Sequence, residues 1–428
     1  MVRGKWWRLL AVLMVFGLLA AACGDDDDET ADDDTTTTED DSGSDPSEPA
    51  GDGLVIGRVL PESGPLAFLG PPMIEGTNLA IDDINAAGGV LGSDVTLLEG
   101  DEGADPAAAR DTVTRLVNEG AQAIIGAAAS GSSQEFIGEL SAAGIPQCSG
   151  ANTAPDFTDQ ANADFYFRTV PPDNAVAPII ANTVAADGAT SPVVVARADD
   201  YGQGLGALVI EELTAVGLTV PALITYDPEA TSFDAEVASI TGANPDAVVL
   251  IAFDEGGQIV QGLLENGVEA TQIYGSDGVF GPTFADQVNP DDPSVINGMK
   301  VIGAAGGEEF NARLTEEVDD GNLIYGGQTY DCVIITALAA EAAGSTEGQA
   351  IIDEVPGVTK DGTVCTSFEE CKGLLEDGED IDYDGASGAL ELDDVGDPTV
   401  GRYAIGEFQD GAIEIIDSQD VDLAELDG

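Results

Sequence analysis

The sequence predicts an α/β fold of two lobes, each built on a parallel sheet, and three features lead there. From Leu54 onward, apolar runs of strand length alternate with amphipathic runs of helix length. Most of the strand runs are apolar on both faces, the pattern of a sheet covered by helices on either side. The rhythm breaks at Pro171-Pro172 and restarts, and 428 residues exceed what one hydrophobic core usually holds.

LVIGRVL (54–60) predicts the first strand, and IEGTNLAIDDINAAGG (74–89) an amphipathic helix closed by Gly88-Gly89. VTLLEGD (95–101) is the next strand. Asp105-Pro106 then supply the N-cap and first position of a helix that ends at Gly120. AQAIIGA (121–127) is the third strand, FIGELSAAG (136–144) a helix, and IPQCSG (145–150) the fourth strand, before ADFYFRTV (163–170) leads to the break. Beyond it, APIIANTVAADG (177–188) and GLGALVIEELTAVG (204–217) read as helices around the strand SPVVVARADD (191–200). VPALITYDP, PDAVVLIAFD, TQIYGSDG and GMKVIGAAGG are four further strands. TYDCVIITALAAEAA (329–343) is a late helix with its own apolar stripe. GALELDD (388–394) and GRYAIGEFQDGAIEII (401–416) close the chain as a hairpin-like pair.

The N-terminus lies outside this pattern. Arg3, Lys5 and Arg8 precede the short apolar run Leu9 to Leu19, the outline of a secretory signal too short for a stable membrane span. Ala20-Ala21-Ala22-Cys23 looks like a bacterial lipobox, although leucine is more usual where Ala20 stands. Lipidation of Cys23 is the expectation; ordinary cleavage with an incidental thiol is the alternative. Gly24 to Gly53 is acidic, without a base and almost without apolar residues, so it reads as an extended tether between membrane and folded part.

Lysine and arginine total 13 against 81 acids, a net charge of −68. Nucleic acid is excluded as a natural partner, because phosphates would be repelled. So large an excess suits a high-salt or divalent-rich exterior that screens the repulsion. Histidine is absent, which removes Ser-His-Asp and Cys-His nucleophiles and the commonest zinc ligand. An exported chain permits disulfides: Cys365 and Cys371 bracket TSFEE in a polar stretch and are expected to pair. Cys148 and Cys332 lie in apolar stretches and either pair with each other or stay as buried thiols.

The strand-loop AIIGAAASGSS (123–133) asks what a buried strand offers by opening into Ser130, Gly131, Ser132 and Ser133. No lysine follows, so a P-loop is excluded. With SGPLAFLGPPMIEGTNLAIDDINAAGGVLG, IPQCSGANTAPDFT, FYFRTVPPD, DDYGQG, IYGSDG and TYDC, in that order and spacing, it carries a resemblance. The chain resembles the periplasmic leucine/isoleucine/valine-binding proteins, type I solute-binding lipoproteins of ABC importers, from Leu54 to about Ile416.

The resemblance implies two Rossmann-like lobes joined by a three-crossing hinge, with crossings near Thr169–Pro172, Gly303–Gly306 and Tyr383–Gly388. The expected organisation is a signal at 1–22, lipidated Cys23 and tether over 23–53, and an acidic tail at 419–428. Lobe 1 takes 54–171 plus 306–384 and lobe 2 takes 172–305 plus 385–418. It further implies that an amino acid's carboxylate sits at Ser130, the backbone near Ala151 and the Thr153 hydroxyl, and that Asp277 pairs with its ammonium. Tyr201 and Tyr325 would cover the ligand. Leu69, and Phe253 or Asp254, stand where leucine-binding members carry aromatics, which leaves the side-chain preference open.

DIDYDGASGALE (380–391) also satisfies the oxygen-ligand spacing of a calcium loop, but ALELDD after it alternates like a strand where that motif needs a helix. No metal and no cofactor are expected. The implied function is capture of a small amino acid, branched-chain foremost, by lobe closure, and its delivery to a membrane permease by a lipid-anchored, extracytoplasmic monomer. The alternatives are an amide, urea or another small organic solute in the same clamp, or the clamp as a nutrient sensor. A carboxylate hydrolase is the enzyme reading, and no pair of acids in the sequence points to one.

Overall fold

The computed structural model describes residues 53–423 apart from 104 and 320. The expected signal, Cys23, nearly all of the tether and the last residues of the tail lie outside the described residues. The chain begins with β1 (Val55–Leu60), α1 (Gly70–Ala86), β2 (Thr96–Asp101), α2 (Pro106–Asn118), β3 (Ala123–Gly126), α3 (Ser130–Ala143), β4 (Gln147–Ser149) and β5 (Tyr166–Arg168). Then come α4 (Asp173–Ala186), β6 (Pro192–Arg197), α5 (Asp200–Ala215), β7 (Leu223–Tyr226), α6 (Asp234–Gly242), β8 (Ala247–Ile251), α7 (Gly256–Glu265), β9 (Ile273–Gly275), α8 (Phe284–Val288) and β10 (Lys300–Ala304). The remainder is α9 (Glu308–Leu314), α10 (Gly326–Ala343), α11 (Gly348–Glu354), β11 (Thr363–Cys365), α12 (Phe368–Glu376), β12 (Ile381–Tyr383), β13 (Val400–Gln409) and β14 (Ala412–Asp422).

The first sheet has the order β2-β1-β3-β4-β5 and is parallel throughout. The second has the order β14-β13-β10-β9-β8-β6-β7, parallel from β7 to β10, with β13 and β14 antiparallel at its edge. Each parallel part reverses its winding beside its first strand, and loops diverge there to leave a crevice at the strands' C-terminal ends. The residues of β6 and β8 are all buried, as two-sided burial requires.

Several expectations shift. The helix expected from Ala177 starts one turn earlier, at Asp173, because Pro172 leads straight into it. GALELDD forms no ladder; the hairpin lies wholly within β13 and β14. β14 runs through the start of the expected tail to Asp422, since Val400 to Tyr403 supply its backbone partners. The third passage between lobes falls near 397–400 rather than at Tyr383–Gly388. The cause is Asp331 on α10, buried within lobe 1, whose carboxylate accepts the Tyr383 hydroxyl at 2.8 Å, the Ala386 amide at 2.7 Å and the Ser387 amide at 2.8 Å, and Leu390 and Leu392 then enter the same core. Among the described residues no cluster has metal-ligating geometry.

Both cysteine pairs are bonded, Cys148 to Cys332 and Cys365 to Cys371. The first ties β4 to α10 across 184 residues of chain. Closing so long a loop in the unfolded state restricts it strongly, so replacing both Cys148 and Cys332 by alanine is expected to cost about 2–5 kcal/mol. Denaturant unfolding followed by circular dichroism measures this, and an unchanged midpoint would contradict it.

Candidate functional site

The C-terminal ends of β1, β3 and β4 face those of β6, β8 and β9 across the interlobe crevice. Leu69, Ser130, Ala151, Thr153, Tyr201, Phe253, Asp277 and Tyr325 all line one tightly closed pocket there, together with Leu66, Ala128, Ala129 and Gly278, around a cavity of about 20 Å³. Topology brings them together, for each follows a strand or caps a helix at this end. Gly278 is required by closeness, because a side chain there would meet the Ala252 carbonyl at 2.3 Å. Two larger surface grooves hold none of these groups.

On the lobe 1 side, the Ser130 hydroxyl accepts the Ala154 amide at 3.4 Å and keeps its own proton to donate. The Thr153 hydroxyl is buried close to the Asp173 carboxylate. Asn152 donates to the Ala127 and Ala128 carbonyls at 3.1 and 2.9 Å, which steadies the loop that bears Ser130. This wall offers uncharged donors at the start of α3, suited to an anion.

The opposite end is anionic. Asp277 accepts the Tyr201 hydroxyl at 2.5 Å and the Tyr325 hydroxyl, the latter reaching across from lobe 1. Burial raises the Asp277 carboxyl above its ordinary range, and the two phenols restrain the rise. Tyr325 caps α10 with φ of 61°, a conformation unusual for tyrosine that the cleft contacts hold in place. Tyr201 stacks on Phe253 with ring centroids 5.4 Å apart, and the Arg197 guanidinium lies 3.5 Å from the Phe253 centroid. That three-layer stack forms a rigid side wall.

Two residues beyond the sequence reading belong with this group. Asp173 opens α4, its amide bonded to the Thr153 carbonyl at 2.8 Å, and its buried carboxylate lies beside the Thr153 hydroxyl. Burial, with the Asp277 carboxylate close by, pushes its carboxyl well above the usual range. Among the described residues the buried Tyr403 hydroxyl has no hydrogen-bond partner, and it senses both acids. In the sequence, an aspartate after Pro-Pro reads as an ordinary helix-start acid, and Tyr403 as strand core, so neither gave a signal of its own.

A profile of the periplasmic binding protein family matches residues 53–376. The chain belongs to that family. It is therefore an extracytoplasmic solute-binding protein and not an enzyme. It is 26% identical over 393 residues to the chemotactic signal transduction system substrate-binding protein BasB of Halobacterium salinarum, covering 85% of this chain and 89% of that one. It is 26% identical over 363 residues to the Leu/Ile/Val-binding protein BraC3 of Rhizobium johnstonii, covering 84% and 93%. Among solved structures, the leucine-binding protein LivK of Thermotoga maritima superposes with a TM-score of 0.73 at 21% identity, covering 87% of this chain and 99% of that one. A Rhodopseudomonas palustris solute-binding protein in complex with benzoate gives 0.67 at 18% identity, covering 87% and 98%. These likenesses establish the type I fold and leave the solute open.

The mouth of this binding protein's cleft is acidic on both sides. Asp199 and Asp200 at the start of α5 confront Asp156 and Glu135 of lobe 1; burial and these neighbours raise the Asp200 carboxyl. Closure brings like charges together, so salt should favour it. Raising NaCl from about 0.1 M to about 1 M shortens the screening length from roughly 10 Å to roughly 3 Å. Ligand binding is expected to tighten several-fold in calorimetric titrations at the two concentrations, and weakening would contradict this.

Proposed function

We propose that this protein captures a small amino acid, branched-chain foremost, and delivers it to an ABC permease as a lipid-anchored monomer attached through Cys23. The observation that carries the reading is the polarity of the pocket. Uncharged donors at Ser130 and Thr153 lie at one end, the acid Asp277 at the other, and an apolar wall of Leu66, Leu69 and Phe253 alongside. An α-amino acid presents a carboxylate, an ammonium and a side chain in the same arrangement. Plain carboxylic acids lack the ammonium, which leaves buried Asp277 without a counter-charge. The relatives named for leucine, isoleucine and valine support the same solute class. Ligand binding biases the lobes toward closure, and the closed pair presents one joint face to the permease.

Calorimetric titration with leucine, isoleucine, valine, other amino acids, aliphatic amides and benzoate tests the reading. Heat is the suitable readout because both tryptophans, Trp6 and Trp7, lie in the expected signal. Micromolar or tighter binding of an aliphatic amino acid is expected. Binding of amides or benzoate alone would overturn the amino-acid assignment and leave the clamp.

A further inference from the structure

Beneath the loop that bears Ser130, at the end of β2, lies a carboxylate that the clamp mechanism leaves unused. Glu102 is 2% exposed, and its carboxylate accepts the Ala128 amide at 2.8 Å and the Ala129 amide at 3.0 Å. Ala128 and Ala129 line the ligand pocket with their other side. The Ser132 hydroxyl, in the first turn of α3, also donates to Glu102. One helix start thus serves two anions, with a single layer of backbone between them: Glu102 below and the incoming carboxylate above.

We infer that Glu102 is a positioning residue of the carboxylate seat, holding its loop from below, and that it takes up a proton when the ligand carboxylate arrives. The inference rests on the reading of Ser130, Ala151 and Thr153 as that seat. Its reason is electrostatic. Both anions sit at the same helix start, and in a buried site each disfavours the other's charge. The groups facing Glu102 are the Asp101 carboxylate from its own strand and the Ser132 hydroxyl from α3, with no cation among them. Asp101 is engaged elsewhere, accepting the Ser63 hydroxyl and the amides of Glu62, Ser63 and Gly103. Burial pushes the Glu102 carboxyl up to about 7 even before a second anion enters. The proton comes from solvent. The protonated group keeps one oxygen for the amides and turns its O–H toward the Ser132 oxygen.

The sign of the effect follows. Above about pH 7 the empty protein holds Glu102 ionised, so binding must bring in a proton, and affinity falls by up to about tenfold per pH unit. Asp277 acts in the opposite sense on the acid side, since the ligand ammonium needs it ionised. The test is isoleucine titration of the protein and of Glu102→Gln from pH 6 to pH 9, in buffers of differing ionisation enthalpy. Glutamine keeps the shape and one acceptor but cannot titrate. The expected result is a falling alkaline limb with proton uptake in the wild type, and a flat limb without uptake in Glu102→Gln. Parallel pH profiles in the two proteins would reduce Glu102 to a structural prop and overturn the inference.

Failure of the amino-acid reading gives a different result, with no isoleucine binding to the wild type at any pH. Melting curves without ligand then decide. A carboxyl raised in the folded state stabilises below its unfolded pKa, and that contribution is lost as pH rises through the folded value. The melting temperature of Glu102→Gln should therefore gain on the wild type between about pH 5 and about pH 8; a constant gap overturns the inference without reference to any ligand.

Discussion

Asp277→Ala weakens amino-acid binding by about 2–5 kcal/mol, roughly thirty- to several-thousand-fold, the range for truncating one partner of a desolvated, hydrogen-bonded charge pair. The ligand ammonium would enter a cleft where Asp277 is 6% exposed and bonded to two phenols. Its loss leaves the cation facing Tyr201 and Tyr325, dipoles without a charge. Calorimetric titration beside a thermal melt checks the claim. Loss of binding with the melt held within a few degrees is the expected outcome. Undiminished affinity in Asp277→Ala would remove that residue from the ammonium site.

Arg168→Ala costs about 3–5 kcal/mol of folding stability, the range for removing one member of a buried ion pair. Arg168 is fully buried, and its Nη2 meets Asp397 at 2.9 Å. Its other hydrogen bonds go to the Asn152 carbonyl at 3.0 Å, the Ala154 carbonyl at 2.8 Å and the Thr158 hydroxyl at 2.9 Å. One guanidinium thus ties β5, the loop behind the ligand's carboxylate end and the segment that leads into the third passage. Without it Asp397 is left as an anion in a site with little water. Urea unfolding followed by circular dichroism reads the loss, and Arg168→Met, which fills space without charge, separates packing from pairing. A midpoint unchanged in both variants would sink the argument.

The sequence was legible where residue type and chain order coincide. Apolar runs separated by helical periods predict both parallel sheets, because a strand covered on both faces has no polar side to alternate. Ser130, Thr153, Tyr201 and Asp277 came from the family resemblance, and each lies a few residues beyond a strand, where doubly wound sheets put their ligands. GALELDD shows where such reading stops. It alternates like a strand, yet Asp331 draws the preceding segment into lobe 1 and leaves it no strand to pair with.

Asp173, Tyr403 and Glu102 were hidden for a related reason. Each is an ordinary residue of its local element, and only distant chain makes it unusual: the Thr153 loop beside Asp173, Asp277 near Tyr403, and the loop of β3 over Glu102. By itself, then, the sequence determined the two parallel sheets, since these depend on local periodicity, while the cleft and its residues were implied by the family resemblance. Only the tertiary structure decided that Cys148 meets Cys332, where the third passage runs, and which of 81 acids are buried with raised pKa. Those outcomes depend on which polar groups are shut away from water together, and that is a property of packing between residues far apart in the chain.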